Sequence, residues 1–384
     1  MSAARKRTAD SPRCLPALAA LLALSAAACV ETPPATSPPP GSAAAAPGAS
    51  ASSPPPAAAA PDPWALRGVP RIVADAQRLA TTVKSDGAKR FLSRAAALPT
   101  VATRTLHHDA ERSHYYTEAE AAALPADARA KLTKIEQSEE DYYNTRYGSP
   151  LSYSRPLDIL FSRGVSLPPG SKMMDFGYGY IGHLRLLASM GVHTTGVDVW
   201  PLLRALYSWP GDQGEITGPD GEKGSIRLID GRFPAEPRVV SAVGSGYELI
   251  ISKNVLKKGY IHPDRPVPDP KKLIQLGVSD EAALKAFHDA LRPGGHFLIY
   301  NICPAPTPPD KPFVPYSDGR SPFTKAQWEA AGFEVLVFDQ DDTEAVRAMG
   351  RALGWDQPSG GDPGMDLVND LSVLYTLVRR PAPR

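Results

Sequence analysis

Met173-Met174-Asp175-Phe176-Gly177-Tyr178-Gly179-Tyr180-Ile181-Gly182, followed by Gly196-Val197-Asp198, reads as a strand, a glycine loop, a helix, a second strand and an acid at its end. Glycine has no Cβ, so the loop turns tightly and lets a ligand approach the main chain. The helix after it starts with unpaired N–H groups. An acid closing the next strand accepts hydrogen bonds from ribose hydroxyls. Together these features describe a pocket for a nucleoside-containing cofactor.

Outward from this stretch, strand and helix patterns alternate. Strands are expected at 172–176, 193–199, 225–229, 247–252, 296–301, 333–339 and 371–378, each bounded by Gly, Pro or Asp. Helices are expected at 181–190, at 280–291 with Ser279 as N-cap, and at 325–331, where Thr324 and Gln327 form a capping-box signature. Such alternation implies an α/β fold, a doubly wound and mostly parallel sheet covered on both faces. Residues 215–229, with Gly218-Pro219-Asp220-Gly221 in the middle, read as a hairpin insertion.

The 384 residues divide into four stretches. In residues 1–29, Arg5, Lys6, Arg7 and Arg13 precede an apolar run, Leu15 to Ala28, which ends in small residues before Cys29. This is the grammar of an export signal. The run is too short to span a membrane comfortably. Cys29 after small residues resembles a bacterial lipoprotein site, with a plain cut after Ala28 as the rival. Residues 30–63 are a Pro/Ala/Ser-rich tract with too little apolar surface to offset chain entropy. Residues 64–154 are expected to be a helical extension. Residues 155–384 carry the α/β pattern.

Formal net charge is +1, which gives no bulk attraction for nucleic acid. A small-molecule substrate is expected, with membrane contact only through a lipid on Cys29. The expected location is the cell envelope, or the cytoplasm if the signal is unused. Of three cysteines, Cys14 and Cys29 lie in the signal, which leaves Cys303 alone. Neither a disulfide within the folded part nor a metal site is indicated.

From about residue 155 the chain resembles the class I S-adenosylmethionine-dependent methyltransferases. The resemblance rests on Asp175-x-Gly177-x-Gly179, on Asp198, on Asp230 after the third strand, on Leu291-Arg292-Pro293-Gly294-Gly295, and on Gly332-Phe333-Glu334-Val335. It implies a seven-stranded Rossmann-like sheet with an antiparallel last strand, and S-adenosyl-L-methionine as cofactor. Asp175 and the main chain of Gly177 and Gly179 would face the methionine part, Asp198 the ribose and Asp230 the adenine side, with Tyr178 also among the cofactor-binding residues. Tyr178 and Tyr180 are bulkier than the small residues frequent in this loop, and would either shape the pocket or obstruct it. The segment 142–153 would fold over the cofactor as a lid, with Tyr143, Arg146 and Tyr147 reaching the ligand. At the end of the fourth strand, Asn254, Tyr260 and His262 are the catalytic candidates, as substrate ligands or base. The Asn-Pro-Pro-Tyr motif of amino-group methyltransferases is absent, so the acceptor stays open. Two other readings remain: a non-catalytic nucleoside-binding envelope protein, and a NAD-dependent enzyme, since Asp198 lies 21 residues after Gly177.

Overall fold

A computed structural model describes residues 64–383 except 146, 148 and 359–361. The signal, the Pro/Ala/Ser tract and Arg146 lie outside the described residues.

The chain enters through α1 (Gly68–Leu79) and α2 (Asp86–Ser93). Val69, Ile72, Ala76 and Leu79 recur at helical spacing and are buried, which docks α1 on the main body. The extension is not helical throughout. It also holds a small antiparallel sheet of β1 (Arg104–His108), β2 (Tyr115–Thr117) and β3 (Thr133–Gln137), in the order β2-β1-β3. The Ala- and Glu-rich stretch around 119–140 forms only two short helices, Glu118–Ala122 and Ala126–Arg129, before β3. Pro125 separates them, and Thr133 and Ile135 favour the extended backbone that pairs with β1.

Buried polar contacts tie this extension to the rest. Glu139 accepts from Val69 N at 2.9 Å and Val101 N at 2.7 Å. Arg104 grips Asp212 with both terminal nitrogens, at 2.7 and 2.9 Å, and stacks on Tyr142 and Trp209. In α3 (Ser154–Ser162), Asp158 Oδ1 accepts from Lys84 N, Ser85 N and Ser85 Oγ at 2.7–3.0 Å.

The main sheet is built from β4 (Lys172–Phe176), β5 (His193–Asp198), β6 (Gly214–Thr217), β7 (Lys223–Asp230), β8 (Tyr247–Lys253), β9 (Leu291–Cys303), β10 (Glu334–Asp341) and β11 (Ser372–Arg379). Their order is β10-β11-β9-β8-β4-β5-β7-β6. The pairs β4/β5, β4/β8, β5/β7 and β8/β9 are parallel. β11 is inserted antiparallel between β9 and β10, and β6 folds back on β7 as a hairpin. Without that hairpin the sheet has seven strands in the order 3-2-1-4-5-7-6, the last one reversed. The inner strands are buried on both faces, as parallel strands under helices must be.

The helices start where local chemistry dictates. In α4 (Gly182–Ala188), directly after the glycine loop, every residue is buried. Pro201 opens α5 (Pro201–Leu206). Ser279 Oγ caps α6 (Asp280–Ala290) by accepting from Ala282 N, and Thr324 and Gln327 make both capping-box bonds at the start of α7 (Lys325–Ala330). In α8 (Thr343–Leu353), Val346, Met349 and Leu353 pack into the core on the side of α1. Apolar side chains fill the layers on both sides of the sheet.

Candidate functional site

In an open α/β sheet, ligands bind beyond the carboxyl ends of the strands, where strand order reverses on either side of the first strand. Here that strand is β4, with β5 on one side and β8 on the other. A hollow of about 220 Å³ lies at this edge. Phe176 at the end of β4 and Gly177 after it, Val197 to Val199 at β5, Gly231 to Phe233 after β7 and Val255 after β8 form its floor and walls. The segment 271–276 covers one side with Lys271, Leu273, Ile274 and Leu276. The lining is mostly apolar with a few polar groups, as small-ligand sites usually are.

Asp198 stands on the wall and holds the loop around it. Its Oδ2 accepts from Gly179 N at 3.0 Å, and its Oδ1 from Val199 N at 2.7 Å and Trp200 N at 3.0 Å. A carboxylate oxygen accepts about two bonds, so Oδ2 keeps one acceptor position for a ligand hydroxyl. Burial pushes the Asp198 carboxyl up, against these three backbone donors. The loop needs its glycines: Gly177 and Gly179 have φ of +79° and +59°. A Cβ on Gly177 would collide with Val255, whereas the space beside Gly179 is open.

The aromatic rings of the loop do not fill the hollow. Tyr178 is buried on the other side of the loop, over the bare Cα of Gly196. A Cβ there would lie 2.7 Å from the Tyr178 ring and 3.0 Å from Leu184. Tyr178 lines a smaller niche of about 70 Å³ with Tyr207, Leu203 and Asp230, which adjoins the hollow at Asp198. Tyr180 turns edge-on to Trp200, with centroids 5.9 Å apart.

Asp175 is fully buried at the end of β4. Its Oδ2 receives Tyr153 Oη at 2.7 Å and contacts His183 Nε2 at 2.6 Å. The Tyr153 and His183 rings stack, with centroids 3.7 Å apart and planes 2° from parallel. Asp175 Oδ1 is buried without a hydrogen-bond partner. Lys253, at the end of β8, places its ammonium 5.0 Å from the Tyr153 ring centre. Burial lowers Lys253 to about 8, with Asp175 opposing the fall. Burial likewise holds His183 below its ordinary value, again against Asp175. The sequence reading left Tyr153, His183 and Lys253 without roles. They converge because 150–153, α4 and β8 all meet the end of β4.

The other named residues lie apart from the hollow. Asn254 has a left-handed backbone, φ +67°, and its Oδ1 accepts from Ile302 N at 2.7 Å, which clamps the turn after β8 to β9. Tyr260 is buried, and the Lys257 ammonium sits 5.6 Å from its ring centre. His262 is exposed, with Nε2 2.9 Å from Asp280 Oδ1. Asp230 is exposed and borders the neighbouring grooves, while its carbonyl accepts from Arg238. Tyr143 is buried and donates to the Pro99 carbonyl at 2.8 Å; Tyr147 donates to Asp362 at 2.8 Å. Each hydroxyl is turned to a partner within the chain. The segment that does reach the strand ends is Pro150–Tyr153, through Tyr153. Arg232, Phe233 and the 271–276 segment line the hollow although no motif marks them. The signal in the sequence is the apolar cluster Leu273, Ile274 and Leu276 following Lys271-Lys272.

Among the described residues no group of His, Cys, Asp and Glu is arranged to hold a metal, and no helix is long and apolar enough to cross a membrane.

Comparison with family models and with curated proteins returned no match. Solved structures do match in part. One is a putative sarcosine dimethylglycine methyltransferase from Galdieria sulphuraria: identity is 15%, coverage 60% of this chain and 85% of that one, and the TM-score 0.34. Another is a SAM-dependent methyltransferase from Geobacter sulfurreducens in complex with S-adenosyl-L-homocysteine, at 16% identity, 59% and 90% coverage and a TM-score of 0.31. A third is the [4+2]-cyclase SpnF, at 14% identity, 61% and 84% coverage and a TM-score of 0.33. Strand order and direction decide the fold. The fold is the Rossmann-like one of the class I methyltransferases. A fold of this kind hosts more than one chemistry, so activity has to be argued from the site.

Proposed function

We propose that the chain binds S-adenosyl-L-methionine at the carboxyl edge of its sheet and transfers the methyl group to a small-molecule acceptor. One observation carries this reading: the Asp198 carboxylate, anchored to the glycine loop and retaining an acceptor position, stands beside an apolar hollow at the strand-order switch. Asp198 would take a ribose hydroxyl. Phe176, Phe233, Val255 and Leu276 would enclose the base. Asp175, whose Oδ1 is unpartnered, would face the amino-acid end of the cofactor, as the resemblance implies. When bound, the cofactor supplies an electrophilic methyl on a sulfonium. The protein's contribution is to hold an acceptor in line with that methyl and to keep water out.

Calorimetric titration with S-adenosylmethionine, S-adenosylhomocysteine and NAD tests this. The first two should bind and NAD should not. Ile274→Trp, which fills the hollow from its covering segment, should weaken binding by at least about tenfold, or 1.4 kcal/mol. Preferential binding of NAD, or equal binding by wild type and Ile274→Trp, would remove the reading.

A second reading, a non-catalytic binding protein, draws support from the placement of Asn254, Tyr260 and His262, none of which lines the hollow. Cofactor binding without methyl transfer across a panel of oxygen, nitrogen and carboxylate acceptors would favour it. The proposal includes export and a lipid anchor at Cys29, on the strength of the N-terminal grammar. Unchanged membrane association of Cys29→Ser in fractionated cells would end that part.

A further inference from the structure

Lys253 closes β8, the strand beside β4, and its side chain is nine-tenths buried. Among the described residues no acceptor forms a hydrogen bond with its ammonium, whose recorded neighbour is the Tyr153 ring. The carboxylate that acts on it through space is Asp175, but Oδ2 of that group is engaged by Tyr153 and His183. Lys257, four residues on and fully buried, is the contrast: its ammonium donates to the Ile302 carbonyl at 3.2 Å. The position of Lys253 therefore does not follow from a general habit of burying lysines in this turn. Holding a largely buried ammonium without an acceptor in the chain is costly, and an anion reaching it would offset that cost with a charge-assisted hydrogen bond. The polar deficit continues around it. Asp175 Oδ1 and the hydroxyls of Ser152 and Ser154, on either side of Tyr153, are fully buried without partners.

We propose that Lys253, which does not line the hollow itself but closes β8 beside Tyr153 and Asp175, is an oxyanion-recognition residue, its ammonium donating to a carboxylate or phosphate oxygen of a ligand held at the carboxyl edge of the sheet. The inference rests in part on the cofactor reading above. Two sources share the chemistry: the carboxylate of the cofactor's amino-acid end, and an anionic group on the methyl acceptor. Hydrogen bonds to charged groups are the stronger kind, so loss of the ammonium should be readable as a large fold-change.

The test uses the full chain with Lys253→Met, and Lys253→Gln as the second variant should the first not fold. S-adenosylhomocysteine and 5′-methylthioadenosine, which lacks the amino-acid end, are titrated by calorimetry. Acetate and inorganic phosphate are titrated by thermal shift, with and without methylthioadenosine. If the source is the cofactor, the variants bind S-adenosylhomocysteine at least about tenfold more weakly and methylthioadenosine as wild type does. If the source is the acceptor, both nucleosides bind unchanged and the stabilisation by acetate or phosphate disappears. Agreement of wild type and variants in every arm overturns the proposal. Should wild type bind neither nucleoside, the cofactor reading fails by itself, and the anion arms on the unliganded protein still decide Lys253: stabilisation lost in the variants upholds its role, and stabilisation kept or absent throughout refutes it.

Discussion

Replacing Gly177 by alanine probes the turn on which the site depends. Two costs are built into that position. The backbone has φ +79°, a left-handed conformation that costs an L-residue about 1–2 kcal/mol. A Cβ would also lie 3.1 Å from Val255 Cβ and closer still to Val255 Cγ2, so the neighbour must move. Overpacking of this kind costs about 1–3 kcal/mol. Together Gly177→Ala should lose about 2–5 kcal/mol. Val255→Ala alone removes two buried methyl groups, about 1.6 kcal/mol at 0.8 per carbon, and widens the hollow. The double variant keeps the backbone cost and loses the collision. The two changes should therefore be non-additive, with the double variant more stable than their sum by about 1–3 kcal/mol. Urea denaturation followed by circular dichroism measures all four proteins. Additivity within about 0.5 kcal/mol would show that Val255 does not press on the loop, and would refute the geometry given for the floor of the site.

Four further outcomes follow from the same contacts. Asp198→Asn must present an NH₂ either to Gly179 N or to the Val199 and Trp200 pair, so it should lose about 1–3 kcal/mol of stability and weaken S-adenosylhomocysteine binding; wild-type values for both would contradict its anchoring role. His183 is held below its ordinary value by burial, so the unfolded chain takes up the proton first and stability falls as pH drops below about 6.5. That part of the slope should vanish in His183→Gln when unfolding free energy is measured from pH 5 to 7.5, and an identical slope would contradict it. Arg155→Met strips Asp342, which also accepts from Tyr300 Oη at 2.7 Å, of a cation whose Nε lies 2.9 Å away. Because Arg155 is a quarter exposed, the loss should be about 2 kcal/mol, below the 3–5 of a fully buried pair, and a loss under about 0.5 would contradict the bridge. Thr324→Ala removes the cap of α7 and should cost about 1 kcal/mol in denaturation, whereas Lys325→Ala, which leaves the cap intact, should cost little.

Much of the sheet was legible because its signals are local. A short, mostly apolar run flanked by glycines reads as a buried strand by its length and its boundaries, and the 172–176 strand falls at the same bounds in the structure. The caps at Ser279 and Thr324 were legible for the same reason, since a side chain three residues from its N–H partner needs no tertiary context. The arginine-containing stretch before the fifth strand was less so: β9 starts at Leu291 and takes in Pro293 and the two glycines, because Arg380 pairs its backbone with Gly294 and Gly295. That partner lies over eighty residues away in the chain. β3 was missed on similar grounds, because pairing with β1 overrides the helical composition of its surroundings.

Local spacing by itself determined the glycine turn, the acid at 198 and the alternation that makes a parallel sheet, since each follows from backbone freedom or from periodicity within a few residues. Only the tertiary structure decided which side chains meet at the strand ends. Tyr153, Asp175, His183 and Lys253 come from four separate elements, and their meeting depends on the order in which the strands lie side by side. The same packing turned Asn254 to Ile302 and His262 to Asp280. A buried or half-buried polar side chain takes a partner that lies near it in space, and that choice is made by distance in the fold rather than in sequence.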